Sequence, residues 1–283
     1  MPDRLPITKT YKLAIGGKFP RSESGRTVTA PDRAAGGEAH VCRASRKDLR
    51  AAVEAAHGAR GAWSGSTPYL RGQILYRLAE MMEGKRDELA AALGDGGARE
   101  LDASIDRVIH FAGWTDKHGA VSGAANAVSG PYHNFTIPGP MGVVACVAPD
   151  TPALLGLVSM IAGPLCVGNT VVALASETDP VPAMVLAEAL ATSDLPGGAV
   201  NILTGRRDEL VEHIASHREI IGVHAAGVSA EHRAALRKGA AENLKRVTVR
   251  GEGLDFFDDD ACEGLAWLDP FVEFKTVWHP SAV

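Results

Sequence analysis

Between Gly142 and Val249 the chain repeats one pattern, a short strand-like run followed by a segment of helical periodicity. The runs are Gly142–Val147, Thr170–Leu174, Ala199–Leu203, Ile220–Val223 and Arg246–Val249. Helical segments lie between them, at about 153–166, 180–192, 207–216 and 229–241. Strands separated by helices cannot be joined as tight hairpins, so each unit reads as a βαβ crossover and the sheet as mostly parallel. Right-handed crossovers then place helices on both faces, giving a doubly wound α/β sandwich. Ligands of such a sheet bind beyond the carboxyl ends of its strands.

The flanks differ in character. Residues 1–44 read as short strands joined by turns, with Tyr11–Ile15 alternating and ending at Gly16-Gly17, a hairpin signal. Ser45 with Asp48 three residues on predicts a capping box, after which Leu49, Val53, Ala56 and Ala59 recur at helical spacing. A second helix is expected through Leu75, Leu78, Ala79 and Met82 to Leu93, and a third from Leu101 through Ile105, Val108 and Ile109 to Trp114. Gly94-Asp95-Gly96-Gly97 separates them. Gly251–Pro270 is acidic and irregular, and Phe271–Trp278 alternates as a strand closing at His279-Pro280. The organisation expected is therefore N-terminal strands at 1–44, a helical region with the parallel sheet at 45–250, a linker at 251–270 and a terminal strand at 271–283.

Composition removes several function classes. A net charge of −5 argues against a nucleic-acid or anionic-membrane surface, which needs clustered basic side chains. Cys42, Cys146, Cys166 and Cys262 show no metal-ligand or disulfide spacing, and Cys146 and Cys166 sit in apolar runs as core residues. His213 and His217 stand four apart on a helix, but the intervening glutamate and a third ligand are absent. Asp258-Asp259-Asp260 lacks the spacing of a calcium loop and reads as a solvated turn. The longest apolar stretch, Leu154–Val167, is too short to span a bilayer. Met1–Pro6 has no basic-then-apolar leader pattern, so a cytoplasmic location is expected.

Ordered motifs along the chain resemble the aldehyde dehydrogenase superfamily. Arg71-Gly72-Gln73-Ile74-Leu75-Tyr76-Arg77-Leu78-Ala79 resembles that family's R-G-x-L-L-x-R-L-A helix, and Phe111–Lys117 its Y-A-G-W-A-D-K segment. Pro140–Val144, Gly168–Val172, Leu195–Gly205 and Asn243–Thr248 are similar to P-x-G-V-V, G-N-T-V-V, L-P-P-G-V-V-N-I-V-T-G and N-L-K-R-V-T. Tyr11–Arg26 resembles the family's opening hairpin. The resemblance implies a nucleotide-binding domain for NAD or NADP.

The positions that carry the family's chemistry depart from its pattern. Where P-W-N-F-P supplies an oxyanion amide, this chain has Ala148–Pro152 with a carboxylate at Asp150, the wrong sign for that task. The ribose-binding K-P-A-E becomes Leu174-Ala175-Ser176-Glu177, keeping only Glu177. F-T-G-S becomes Ala225-Ala226-Gly227-Val228, which keeps the turn glycine but loses a hydroxyl. The cofactor-binding residues implied are thus Glu177, Gly227 and Val228, in a degraded site holding dinucleotide weakly or not at all. L-E-L-G-G becomes Val249-Arg250-Gly251-Glu252-Gly253, so the general-base position holds an arginine, which accepts no proton.

Phe256-Phe257-Asp258-Asp259-Asp260-Ala261-Cys262 keeps the spacing of the family's F-F-N-Q-G-Q-C nucleophile segment. Nearby carboxylates oppose thiolate formation, so Cys262 is the weak candidate nucleophile and a surface or linker thiol the ordinary reading. The resemblance makes Glu273–Trp278 the family's C-terminal strand, expected to share a bridging sheet with the N-terminal hairpin and reach another subunit. The expectation is a non-catalytic homologue, an assembly subunit pairing through Tyr11–Ile15 and Phe271–Trp278 with a full-length aldehyde dehydrogenase or itself. The alternatives are NAD(P)-dependent aldehyde oxidation through Cys262 and a dinucleotide-binding sensor.

Overall fold

The computed structural model describes residues 7–281, so the leader reading of Met1–Pro6 lies outside the described residues. In chain order the elements begin with β1 (Thr10–Tyr11), β2 (Thr27–Asp32) and β3 (Gly37–Cys42). Helices α1 (Arg46–Ser64), α2 (Pro68–Gly84), α3 (Arg86–Leu93), α4 (Gly97–Trp114) and α5 (His118–Ser122) follow. Next come β4 (Ala124–Asn126), β5 (Tyr132–Pro140), β6 (Val143–Val147), α6 (Ala153–Cys166), β7 (Thr170–Leu174), α7 (Val181–Leu190) and β8 (Val200–Leu203). The chain continues through α8 (Arg207–Ser216), β9 (Ile220–Ala225), α9 (Ala230–Asn243), β10 (Arg246–Val249), the short α10 (Asp259–Cys262) and β11 (Val272–Pro280).

The five-stranded sheet runs β10-β9-β6-β7-β8 with every pair parallel, as the βαβ pattern requires. Its two faces read in the burial pattern. α1, α8 and α9 pack on one side through Leu49, Val53, Leu210, Ile214 and Leu236. α6 and α7 cover the other, with α2, α3 and α4 as a further layer behind them. All fourteen residues of α6 are buried, which explains its unbroken apolarity. The expected capping box forms: Ser45 Oγ accepts from the amides of Lys47 and Asp48, and Asp48 Oδ2 accepts from Ser45 N at 2.8 Å. The long second helix expected to Leu93 is instead two, broken at Lys85, whose ammonium is held at 2.7 Å by both Glu88 and Glu188.

The N-terminal segment corrects the expected arm. Gly16 and Gly17 adopt positive φ in a two-residue hairpin turn, with Ile15 and Lys18 exchanging main-chain bonds. Tyr11–Ile15, however, joins no terminal strand. Tyr11 pairs with β3, Ala14 exchanges two bonds with Ile202 of β8, and Gly16 N donates to Asn201 Oδ1 at 2.8 Å. Leu13 is fully buried, so its apolar side chain ties the segment to the body of the fold.

The terminal strand β11 pairs antiparallel with β5 over nine residues, and β4 completes that sheet in the order β11-β5-β4. Sequence reading passed over β4 and β5. Its available signal was the alternation of Tyr132-His133-Asn134-Phe135-Thr136-Ile137, masked by Pro138 and Pro140, which ordinarily argue against a strand. Among the described residues no helix is long and apolar enough to cross a membrane.

Asp48 anchors the start of α1 to the preceding turn, since its oxygens also accept from Ser22 Oγ at 2.7 Å and Glu23 N at 3.1 Å. Asp48→Ala removes the cap and leaves these donors unpaired, so it should destabilise the fold by about 1–3 kcal/mol. A urea midpoint equal to wild type would contradict this.

Candidate functional site

In the sheet order, β6, β7 and β8 proceed one way and the chain then returns to place β9 on the other side of β6. The reversal between β6 and β9 makes the crevice at their carboxyl ends the expected ligand site. Its walls are the loop after β6, residues 148–152, and the loop after β9, residues 226–229.

These loops touch. Gly227 has φ +60°, and a Cβ added there would lie 3.1 Å from both Cα and Cβ of Pro149. Glycine is required at this position by backbone conformation and by the neighbouring proline together. Val228 turns inward and is buried in the core with Leu236 and Val147. Both helix N-termini beside the crevice have internal partners. Glu100 Oε1 accepts from the amides of Leu154 and Leu155 at 2.7 and 3.1 Å at the start of α6. Ser229 Oγ accepts from His232 N at the start of α9.

Asp150 meets Arg207, a residue that sequence reading noted only as the first of a helix. The guanidinium forks onto Asp150 Oδ2 at 2.6 Å and Oδ1 at 2.9 Å, and also donates to Ala148 O at 2.8 Å. Burial would raise the Asp150 carboxyl, but the Arg207 hydrogen bonds and charge, with the amides of Glu177 and Thr178, hold it below its usual value. Glu177 Oε2 accepts from Arg207 N at 3.0 Å, placing its carboxylate on the first turn of α8. Glu177, Gly227 and Val228 therefore border one crevice end, each engaged within the chain. Of the amides at the two helix N-termini beside the crevice, those of Leu154, Leu155 and His232 are already taken within the chain.

Arg250 stands just beyond β10, with its amide bonded to Ala225 O. Its Nε donates to His224 Nε2 at 2.8 Å, its Nη2 to Ala266 O at 3.1 Å, and its guanidinium lies 3.8 Å from the Trp267 ring centroid. Arginine only donates, so His224 Nε2 accepts and the imidazole proton sits on Nδ1, which donates to Met160 O at 2.9 Å. His224 is fully buried and neutral. Burial, then the Arg250 charge, hold it well below the usual imidazole value, and burial brings Arg250 down to about 10.

The segment after Arg250 is more than a linker. Phe256, Cys262, Trp267, Leu268 and Phe271 are buried against the main core. Trp267 meets His224 edge-on at 5.2 Å and Phe271 packs against it at a tilt, 4.7 Å between ring centroids. Trp267 Nε1 donates to Ala261 O, and the Trp267 carbonyl presses so closely on α6 that only glycine fits at Gly163. Arg107, itself buried, donates to Ser159 Oγ, Phe256 O and Asp259 Oδ1. Residues 254–271 thus cover the sheet's flank from within the chain.

Cys262 lies under this cover, correcting the surface or linker thiol expected for it. Burial raises its pKa despite the opposing Arg107 and Arg250 charges. Its Sγ lies 3.4 Å from Asp255 O, and the histidine nearest the general-base position, His224, has both ring nitrogens engaged. Glu252, the other acid near that position, pairs with Arg233. Among the described residues no group of three His, Cys, Asp or Glu side chains is placed to hold a metal. A groove of about 740 Å³ is lined by Tyr69, Tyr76, Ile109 and Lys117 from the helical layer and touches none of the crevice loops.

Neutral burial of His224 fixes the sign of a pH effect. Unfolded imidazole takes a proton as pH falls through about 6.5 while the folded one does not, so the unfolded state binds more protons. His110 and His217, lowered by burial first, act in the same direction. Stability is full above that value and should decline as pH falls from 7 to 5. The decline should be shallower in His224→Gln, whose amide offers a donor and an acceptor but does not titrate; equal slopes would refute the assignment.

A family model described as the aldehyde dehydrogenase family matches residues 21–257. The putative aldehyde dehydrogenase DhaS of Bacillus subtilis is 32% identical over 252 residues, covering 85% of this chain and 50% of that protein. The mitochondrial benzaldehyde dehydrogenase of Antirrhinum majus is 29% identical over 88% of this chain and 48% of its own length. Among solved structures, the NAD+ complex of aldehyde dehydrogenase from Bacillus cereus superposes with a TM-score of 0.79 at 28% identity, covering 85% of this chain and 50% of that one. The chain spans about half the length of these relatives. The chain belongs to the aldehyde dehydrogenase family.

Proposed function

We propose that this chain is a non-catalytic member of its family that works as an assembly or interaction subunit, joined to a full-length aldehyde dehydrogenase or to a second copy of itself. One observation carries the reading. At the position of the family's general base, Arg250 donates to a neutral His224 and stacks on Trp267, so the group there fastens a covering segment and accepts no proton. Pro149 against Gly227, Glu100 on α6 and Ser229 on α9 support it, because each takes up space or amides in the crevice from within the chain.

The exposed sheet β11-β5-β4 supplies the surface for assembly. Phe274 and Trp278 are 50% and 60% exposed on β11, and Ile137 is exposed on β5. Apolar side chains on a long, free-edged strand suit strand addition, and members of the family typically oligomerise. A cytoplasmic setting belongs to the same reading.

Titration calorimetry with NAD and with NADP should show no saturable heat, and aldehyde should drive no NADH formation above that of Cys262→Ala. Light scattering after size exclusion should show the chain in a complex, alone or with a full-length homologue. Aldehyde-dependent NADH formation lost in Cys262→Ala would establish the enzyme instead; saturable cofactor heat without turnover would establish a sensor.

A further inference from the structure

β5 occupies one side of β11, and among the described residues no strand pairs with its other edge. The prolines of β5 decide which main-chain groups line that edge. Val272 and Phe274 stand opposite Pro140 and Pro138, neither of which has an N–H to give. Ser281 N donates to Pro131 O at 2.9 Å, which continues the series of bonded pairs through His279, Val277, Lys275 and Glu273. Those residues bond to β5, so Val272, Phe274, Thr276, Trp278 and Pro280 direct their main-chain groups outward.

The outermost two positions are already closed. Val272 O accepts from the Arg246 guanidinium, and Pro280 has no N–H. The open run Phe274, Thr276 and Trp278 is centred on Thr276, with a closed position equally far on either side. We propose that this edge pairs antiparallel with the same edge of a second copy of the chain, with Thr276 on the two-fold axis. The inference rests on the assembly reading above and names its partner.

The side chains agree with that register. Phe274 lies opposite the partner's Trp278, and Trp278 opposite the partner's Phe274, giving two aromatic cross-strand pairs. Glu273 lies opposite the partner's His279, and the stem of Lys275 beside the partner's Val277. Val272, its carbonyl taken by Arg246, meets the partner's Pro280, which has no donor to offer it. Neighbouring registers fail on charge or coverage. Centring on Lys275 sets that ammonium against its own copy, and centring on Val277 moves Phe274 off the partner's Trp278 and onto its Pro280. Centring on Phe274 leaves both Trp278 side chains unpaired, and centring on Trp278 does the same to Phe274.

A polar ladder already points at the axis. Asn126 Nδ2 donates to Thr136 Oγ1 at 2.9 Å, and the Thr136 and Thr276 hydroxyls lie 2.8 Å apart. Across the two-fold it continues to the partner's Thr276. The contact is isologous, so it closes as a dimer with one six-stranded sheet and does not propagate.

Size exclusion with light scattering across a dilution series tests this. Wild type should run as a dimer. Phe274→Lys and Trp278→Glu should each weaken dimerisation at least tenfold, with unchanged circular dichroism because both residues are exposed. The double variant Phe274→Lys/Trp278→Glu sets lysine opposite glutamate at both pairs and should recover the dimer. A wild-type monomer, a dimer indifferent to either single change, or a double variant that stays dissociated overturns the pairing. A wild-type monomer that still binds a full-length homologue removes the self-pairing and leaves the assembly reading intact; one that binds neither removes both.

Discussion

The hydrogen bond from Arg250 Nε to His224 Nε2 decides what the rest of the site becomes. It joins two parallel strands' ends, because His224 belongs to β9 and Arg250 follows β10. It also sets the imidazole tautomer, and so commits Nδ1 to Met160 on α6. A guanidinium placed here needs a partner for its face, and Trp267 supplies one at a distance where a desolvated cation–π contact contributes about 2 kcal/mol. Once Trp267 is held, Leu268 and Phe271 bury beside it. A carboxylate at residue 250 would meet a ring nitrogen and an indole face, and none of this packing would follow.

The covering segment is held by two arginines. Arg250 grips its second half through Trp267 and the Ala266 carbonyl, while Arg107 grips its first half through Phe256 O and Asp259. Neither cation is left without acceptors, which is the condition for burying charge at tolerable cost. The three aromatic side chains Phe256, Trp267 and Phe271 each contribute roughly 1.5–3 kcal/mol on full burial. A nucleotide-binding domain whose flank was built to meet another domain would expose apolar surface if left bare. Here that surface is satisfied within the chain.

The parallel sheet was legible because its determinants are local: apolar runs of strand length, helical periodicity between them, and a capping box at Ser45. The helix at 207–216 shows the limit. Its boundaries follow from periodicity, but nothing near Arg207 in sequence announces Asp150, 57 positions away. The departures at Asp150, Val228 and Arg250, and the retained Gly227, were visible one at a time. Their compensations, with Arg207, Pro149 and His224, are long-range pairings that no spacing rule encodes. Cys262 was misread for the same reason, since acidic neighbours in sequence suggested solvent while Trp267 and Arg107 buried it. The arm's partner strand was hidden because prolines normally disqualify a strand, yet Pro138 and Pro140 sit where β5 faces residues of β11 that need no donor from it.

Cover and arm are mechanically one unit. The carbonyl of Phe271, the last residue of the cover, accepts from Asn169 Nδ2 at 2.8 Å, and Asn169 Oδ1 in turn holds the amides of Met141 and Gly142 where β5 passes into β6. Asp269 in the cover accepts from Ser122 Oγ and lies 2.8 Å from His118 Nε2, both on the helix that leads into β4. Arg246 on β10 binds Glu273 and the Val272 carbonyl at the root of β11. Both strands of the arm are thus clamped at their base by the same short segment that closes the flank of the sheet. A three-stranded sheet with a free edge is marginal by itself, so its direction must be imposed from its root. Arg250, by holding Trp267 and the Ala266 carbonyl, also organises the segment that imposes it.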